Sequence, residues 1–172
     1  MQNWKNLYTE LAEKLATIEE LQWLDLWHNQ INFLDDEHPF PTPAVFLSFR
    51  SLTISDASDK LQDVVAQVDA YVYYETFLDT FNGAYNQQDA LAFLDLMDKV
   101  NAKLHASTGL NYSSMRRTAF NPVDTGNSGN LYLLQYSCRL IDASAQQEWD
   151  EGSFADLQID PTNEDNGYII DS

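Results

Sequence analysis

Asp63-Val64-Val65-Ala66-Gln67-Val68-Asp69-Ala70-Tyr71-Val72-Tyr73-Tyr74-Glu75 is the stretch on which the fold turns. Val64, Ala66, Val68, Ala70, Val72 and Tyr74 alternate strictly with Val65, Gln67, Asp69, Tyr71, Tyr73 and Glu75. Successive side chains of a strand point to opposite faces, so a period of two predicts a strand with one small apolar face and one face of tyrosines and acids. Strands in globular domains commonly run about 5–6 residues. One this long exceeds the needs of a local core. Its Asp69, Tyr71 and Tyr73 face is expected to meet either another subunit or one of the chain's own helices.

Upstream, Trp4, Leu7, Tyr8, Leu11, Leu15 and Ile18 recur at spacings of three and four with charged residues between them. That spacing predicts an amphipathic helix. From Leu21 the period becomes two through His28, and Asn29-Gln30 is suited to turn the chain into Ile31-Asn32-Phe33-Leu34. A strand pair is expected there. Pro39, Pro41 and Pro43 then fix φ and remove backbone donors, so the connection is stiff and extended. Ala44–Phe49 reads as a buried strand that Leu52 and Ile54 extend, ending in a polar turn at Ser55-Asp56-Ala57-Ser58-Asp59.

Downstream, Phe77–Gln88 reads as a loop containing Asn82-Gly83. A second helix follows over Asp89–Ala106, with Phe93, Leu96, Met97, Val100 and Leu104 as its apolar stripe, Asp89 near its N-terminus and Gly109 placed for a left-handed C-terminal residue. Ser113–Val123 and Asn130–Asp142 complete the strands, joined by Asp124-Thr125-Gly126-Asn127-Ser128-Gly129. The reading is an α+β fold: a mainly antiparallel sheet of four to six strands packed with two helices. Residues 1–143 form one domain and 144–172 an acidic C-terminal extension.

Nine Lys+Arg stand against 27 Asp+Glu in 172 residues, a formal net charge of −18. Phosphate affinity needs clustered cations, so nucleic-acid binding and attachment to an anionic membrane are both disfavoured. A hydrophobic fraction of 44% nevertheless predicts a folded protein. Beyond Arg139 there is no Lys or Arg but nine acids, half the net charge, so the extension is expected to resist compaction. Trp149, Phe154, Leu157, Ile159, Tyr168, Ile169 and Ile170 within it are residues of the kind that dock. Cys138 is the one cysteine, which excludes an intrachain disulfide. The N-terminus lacks the pattern of a signal peptide and no segment has the length of a membrane span, so synthesis in the cytoplasm without secretion is expected.

Chemistry finds little foothold. None of the six glycines falls in a dinucleotide or phosphate-loop pattern. His28, His38 and His105 have no partners at zinc-ligand spacing. Cys138 lies on the apolar parity of the last strand, as a packing residue does. Asp35-Asp36-Glu37 reads as the polar edge of a loop. Asn163–Ile169 resembles part of a calcium loop, but with Gly167 at the sixth position the bidentate glutamate would fall beyond Ser172. No catalytic residue, metal or cofactor is therefore expected. Arg116-Arg117 is conspicuous in so acidic a chain. On a strand the two point to opposite faces, to serve an intersubunit ion pair or an ordinary cross-strand pair.

The order of an N-terminal helix, the proline-led strand Phe40–Phe49, a polar turn, the long strand Val64–Glu75, the helix Asp89–Ala106 and the closing strand Leu131–Asp142 resembles the tail terminator proteins of long-tailed phages and prophages. The resemblance covers roughly residues 1–143. It implies a non-enzymatic virion subunit of the tail or neck that forms a hexameric ring, caps the tail tube and meets the head connector. DNA would pass without specific binding, because an acidic channel wall repels it. The subunit-interface residues expected on this reading are Asp69, Tyr71, Tyr73, Arg116 and Arg117. The pair of tryptophans Trp23 and Trp27 and the acidic extension depart from the family's pattern. Another head-tail neck or completion protein, or an acidic binding protein of the toxin-neutralising immunity type, are the alternative readings.

Overall fold

The long alternating stretch is the middle strand of a five-stranded sheet. The computed structural model describes residues 4–33, 40–75, 78–125 and 129–146, with Asn32 and Phe33 described by their backbone alone. The elements in order are α1 (Trp4–Leu15), β1 (Trp23–Leu26), a 3-10 turn (Gln30–Phe33), β2 (Ala44–Ser58), β3 (Leu61–Tyr74), the short α2 (Gln87–Ala90), α3 (Ala92–Leu104), β4 (Ser113–Val123) and β5 (Asn130–Asp142). Strand order is β1-β2-β3-β5-β4. Three pairings are antiparallel and β1–β2 is parallel, so the fold is α+β with a mixed sheet. Leu34, the Asp35-Asp36-Glu37 loop, the calcium-like stretch and nearly all of the acidic extension lie outside the described residues.

The two longer helices, α1 and α3, pack on the small apolar face of β3. Leu7, Leu11 and Leu15 of α1 and Phe93, Leu96, Met97, Val100 and Leu104 of α3 share one buried cluster with Val64, Ala66, Val68, Ala70 and Val72. Small residues at the centre of the sheet let the helices approach closely. Each fully buried leucine contributes about 1.5–3 kcal/mol. Val45 and Leu47 of β2 and Leu134, Tyr136, Cys138 and Leu140 of β5 complete this layer. The Tyr136 hydroxyl donates to Asn101 Oδ1 on α3 at 3.4 Å. Burial pushes the Cys138 thiol up to about 11, so it stays protonated and serves as packing.

The expected strand pair at Leu21–Leu34 is not formed. Trp23–Leu26 pairs in parallel with Ala44–Leu47, and the chain between them passes through the 3-10 turn instead of reversing as a hairpin. Parallel neighbours need a crossover. This one lays Trp27, Ile31 and Phe40 over the tyrosine face, where a second cluster forms with Ala44, Phe46, Tyr73 and Leu131.

Three further boundaries differ from expectation. The polar stretch Ser55–Ser58 is strand, paired with Leu61–Asp63 across a turn at Asp59-Lys60. The second helix is interrupted at Leu91, and Asp89 belongs to the short α2. The left-handed residue after α3 is Ala106, at φ 58°, whose N–H donates to the Met115 carbonyl. Gly109 does something else: an added Cβ would run into the Glu10 carboxylate and lie 2.7 Å from the Tyr112 ring.

Candidate assembly interface

The register sorts the candidate residues onto faces. Asp69, Tyr71 and Tyr73 lie opposite Gln135, Leu133 and Leu131 on the face away from the helices. Arg116 pairs with Ser137 on that same face, and Arg117 pairs with Tyr136 on the helix face. The two arginines do point apart, and both are exposed.

The acidic and aromatic trio is largely interior to the single chain. Tyr73 is 1% exposed and packs edge-on against Phe40, with ring centroids 6.0 Å apart. Tyr71 is half-buried and stacks on Trp27 at 4.1 Å with 11° between the planes. Burial raises both phenols above their ordinary value, with Asp69 adding to the shift at Tyr71 and Glu75 at Tyr73. Asp69 is sunk between its neighbours, accepting hydrogen bonds from Gln67 Nε2 at 2.6 Å and Gln135 Nε2 at 3.1 Å. Two neutral donors satisfy a carboxylate that would otherwise be costly to bury. The covering crossover, a contact distant in sequence, seats the tyrosines within the monomer. That leaves less of this face for a second subunit than the alternation implied.

The open surface lies elsewhere on the sheet. β1 pairs with β2 only from Ala44 to Leu47, and the last contact is Trp27 N–H donating to the Leu47 carbonyl at 2.8 Å. From Ser48 to Ser58 the outer edge of β2 has no strand beside it among the described residues. Leu52 and Ile54 on this stretch are each about half exposed, at 52% and 51%. A bulge lies between Ser51 and Thr53.

β4 is the opposite edge, and it is guarded. Register shifts interrupt it between Ser113 and Arg116 and between Arg117 and Ala119; Pro122 supplies no N–H and two arginines sit mid-strand. Bulges, proline and cations are the devices that stop one edge from pairing with another. The β2 edge has bulges but no proline or lysine, and charges only at Arg50 and Asp56 before its turn. It is the more receptive of the two.

Concave chemistry is sparse by comparison. A cavity of about 420 Å³ lies where Pro43, Tyr74 and α3 meet, rimmed by Glu20, Glu75 and Asp95, with Lys99 bonded to Glu20. Among the described residues no three His, Cys, Asp or Glu side chains are grouped to hold a metal ion. Among the same residues no helix is long and apolar enough to cross a membrane. Compared with known proteins, the chain matches no protein-family model and no curated sequence.

Proposed function

We propose that the protein is a non-enzymatic assembly subunit of the phage tail terminator kind, closing into a ring that caps the tail tube and presents a surface to the head connector. The observation that carries this reading is the β2 edge, which from Ser48 to Ser58 has no strand beside it among the described residues and bears Leu52 and Ile54 half exposed. A row of free N–H and C=O groups beside exposed apolar side chains is a template for another polypeptide. The unlike β2 and β4 edges favour a heterologous contact, in which different surfaces of successive subunits meet and the rotation closes a ring. The net charge of −18 then gives the ring an acidic wall past which DNA slides without adhering.

Electron microscopy and native mass measurement, of the protein alone and after mixing with tail tubes, test the reading. Rings, in solution or on tube ends, are the expected result. The double variant Leu52→Lys/Ile54→Lys should lower ring yield at least about tenfold, since charge on an edge opposes pairing. Its melting temperature should stay close to the parent's, because exposed substitutions usually change stability by no more than about 0.5 kcal/mol. A chain that stays monomeric with and without tubes, while the tubes continue to grow, would sink the proposal.

A further inference from the structure

All four arginines of this acidic chain lie in the sheet, and three of them, Arg50, Arg116 and Arg139, stand on its helix-free face. The register aligns Arg50, Gln67, Ser137 and Arg116 in one row across β2, β3, β5 and β4. The next row runs Thr53, Val65, Arg139 and Ser113. The aromatic crossover covers the Tyr71–Tyr73 end of this face, and neither apolar cluster of the described chain extends over the arginine rows. Arg139 is held by Asp63, through Nε at 3.3 Å and a second, shorter bond from Nη2. Arg50 and Arg116 are exposed and make no ion pair among the described residues. The two rows hold three arginines and no acid, Asp63 and Asp69 flank them, and Asp25 and Glu75 lie at the covered tyrosine end, so the arginine rows carry a local excess of positive charge on a molecule that is otherwise strongly negative.

We propose that this face is the docking surface for the chain's own C-terminal segment, residues 147–172. β5 leaves the sheet at the arginine end: Arg139 is three residues before Asp142, its last residue, and the described chain ends shortly after, at Gln146. The remaining 26 residues carry eight carboxylates, from Glu148 to Asp171, and no lysine or arginine. Charge complementarity therefore singles out this surface for this segment. Reach is ample: a flexible chain of that length spans about 28 Å root-mean-square. The face is about 15 Å across four strands and about 27 Å long. Leu157 and Ile159, set beside Asp156 and Asp160, have apolar counterparts in half-buried Val65 and in Ile141, which is 39% exposed. Tethering raises the effective concentration of the segment to the millimolar range, so contacts weak between separate molecules suffice within one. This inference does not depend on the ring.

Hydrogen exchange read by mass spectrometry on the full chain tests it, comparing the parent with Arg50→Glu/Arg116→Glu. Amides of residues 148–165 should exchange about tenfold or more slower in the parent at low salt, a difference that 0.5 M salt should largely remove. Protection of β3 and β5 in both proteins verifies that the variant is folded, and Arg50→Gln/Arg116→Gln should give a smaller effect of the same sign. Equal exchange in parent and variant at low salt would overturn the proposal. So would protection that rises with protein concentration alongside a dimer mass, which would assign the segment to a second copy. Retention of a single-stranded oligonucleotide on an unprotected chain would assign the face to nucleic acid and likewise overturn it.

Discussion

Replacing Phe46 by alanine should destabilise the protein by about 3–5 kcal/mol, the range for removing a fully buried phenylalanine. Phe46 has no exposed surface and lies at the centre of the smaller core, with Phe40 edge-on at 5.0 Å and Trp27 at 5.9 Å between ring centroids. Among the described residues that core has five buried members, Ile31, Ala44, Phe46, Tyr73 and Leu131, with Trp27, Phe40, Tyr71 and Val123 packed against them, so removing the central ring strips contacts from most of the cluster. Domains are stable by about 5–15 kcal/mol in total, so a loss of this size is a large share. Urea unfolding should give the deficit. Hydrogen exchange should locate it, since amides of residues 27–33 lose their seat on the sheet while α1 and α3 stay protected on the other side. Leu94→Ala is the control: at 40% exposed on α3, its loss should cost within about 0.5 kcal/mol. A Phe46→Ala deficit below about 1.5 kcal/mol would mean that the crossover is not held by this cluster.

The same cluster explains what the sequence could and could not disclose. Alternation in β3 was legible because one side of the strand is apolar from Val64 to Tyr74, and the register places Asp69, Tyr71 and Tyr73 together on the other side. The α3 stripe was legible for the same reason at a different period. Whether the tyrosines would be covered was not legible, because their cover arrives from Trp27 and Phe40 by a crossover that no local pattern encodes. Trp23–Leu26 has the period of a strand, but its partner is Ala44–Leu47, and parallel pairing leaves no turn signature between them. Ser55–Ser58 has the composition of a turn yet is strand: this part of β2 is exposed on both sides, so nothing constrains its sequence to alternate. Of the candidate residues, Arg116 and Arg117 do lie on opposite faces as expected. Arg50, which shares a row with Arg116, carried no local signal, since the row exists only once four strands are in register.

Gly109→Ala should cost about 3–4 kcal/mol, although the glycine lies in a surface loop. The cause is close approach, and Gly109 is not among the positive-φ residues of the chain. The Glu10 carboxylate of α1 accepts from the N–H groups of Leu110 and Asn111, each at 3.0 Å, and from Asn111 Nδ2 at 2.9 Å. Lys14, one turn later on α1, donates to the Thr108 carbonyl at 2.7 Å and to the Tyr112 hydroxyl at 2.6 Å. This turn therefore fastens α1 to the chain entering β4. An alanine Cβ would occupy the space of the carboxylate itself, and Glu10 could move aside only by releasing all three hydrogen bonds. Bonds to a charged group contribute about 1.5–3 kcal/mol each and are partly replaced by water when broken at a surface, which sets the estimate. Acidity supplies an independent check. Burial pushes the Glu10 carboxyl upward, but the bonds from Asn111 and Leu110, with Lys14 nearby, outweigh it and hold the group below its ordinary 4.5. A depressed carboxyl stabilises the fold above the unfolded value and loses that contribution as pH falls through the folded one. The Gly109→Ala deficit should therefore be full at pH 7 and shrink as pH falls below the ordinary 4.5 and through the depressed folded value, where the parent loses its charge-dependent part of the same contribution. Glu10→Gln, which keeps one acceptor without the charge, should fall between the parent and Gly109→Ala and show the same narrowing. A deficit under about 1 kcal/mol, or one independent of pH, would mean that the Glu10 contact is dispensable and that α1 is anchored to the sheet by Leu7, Leu11 and Leu15 alone.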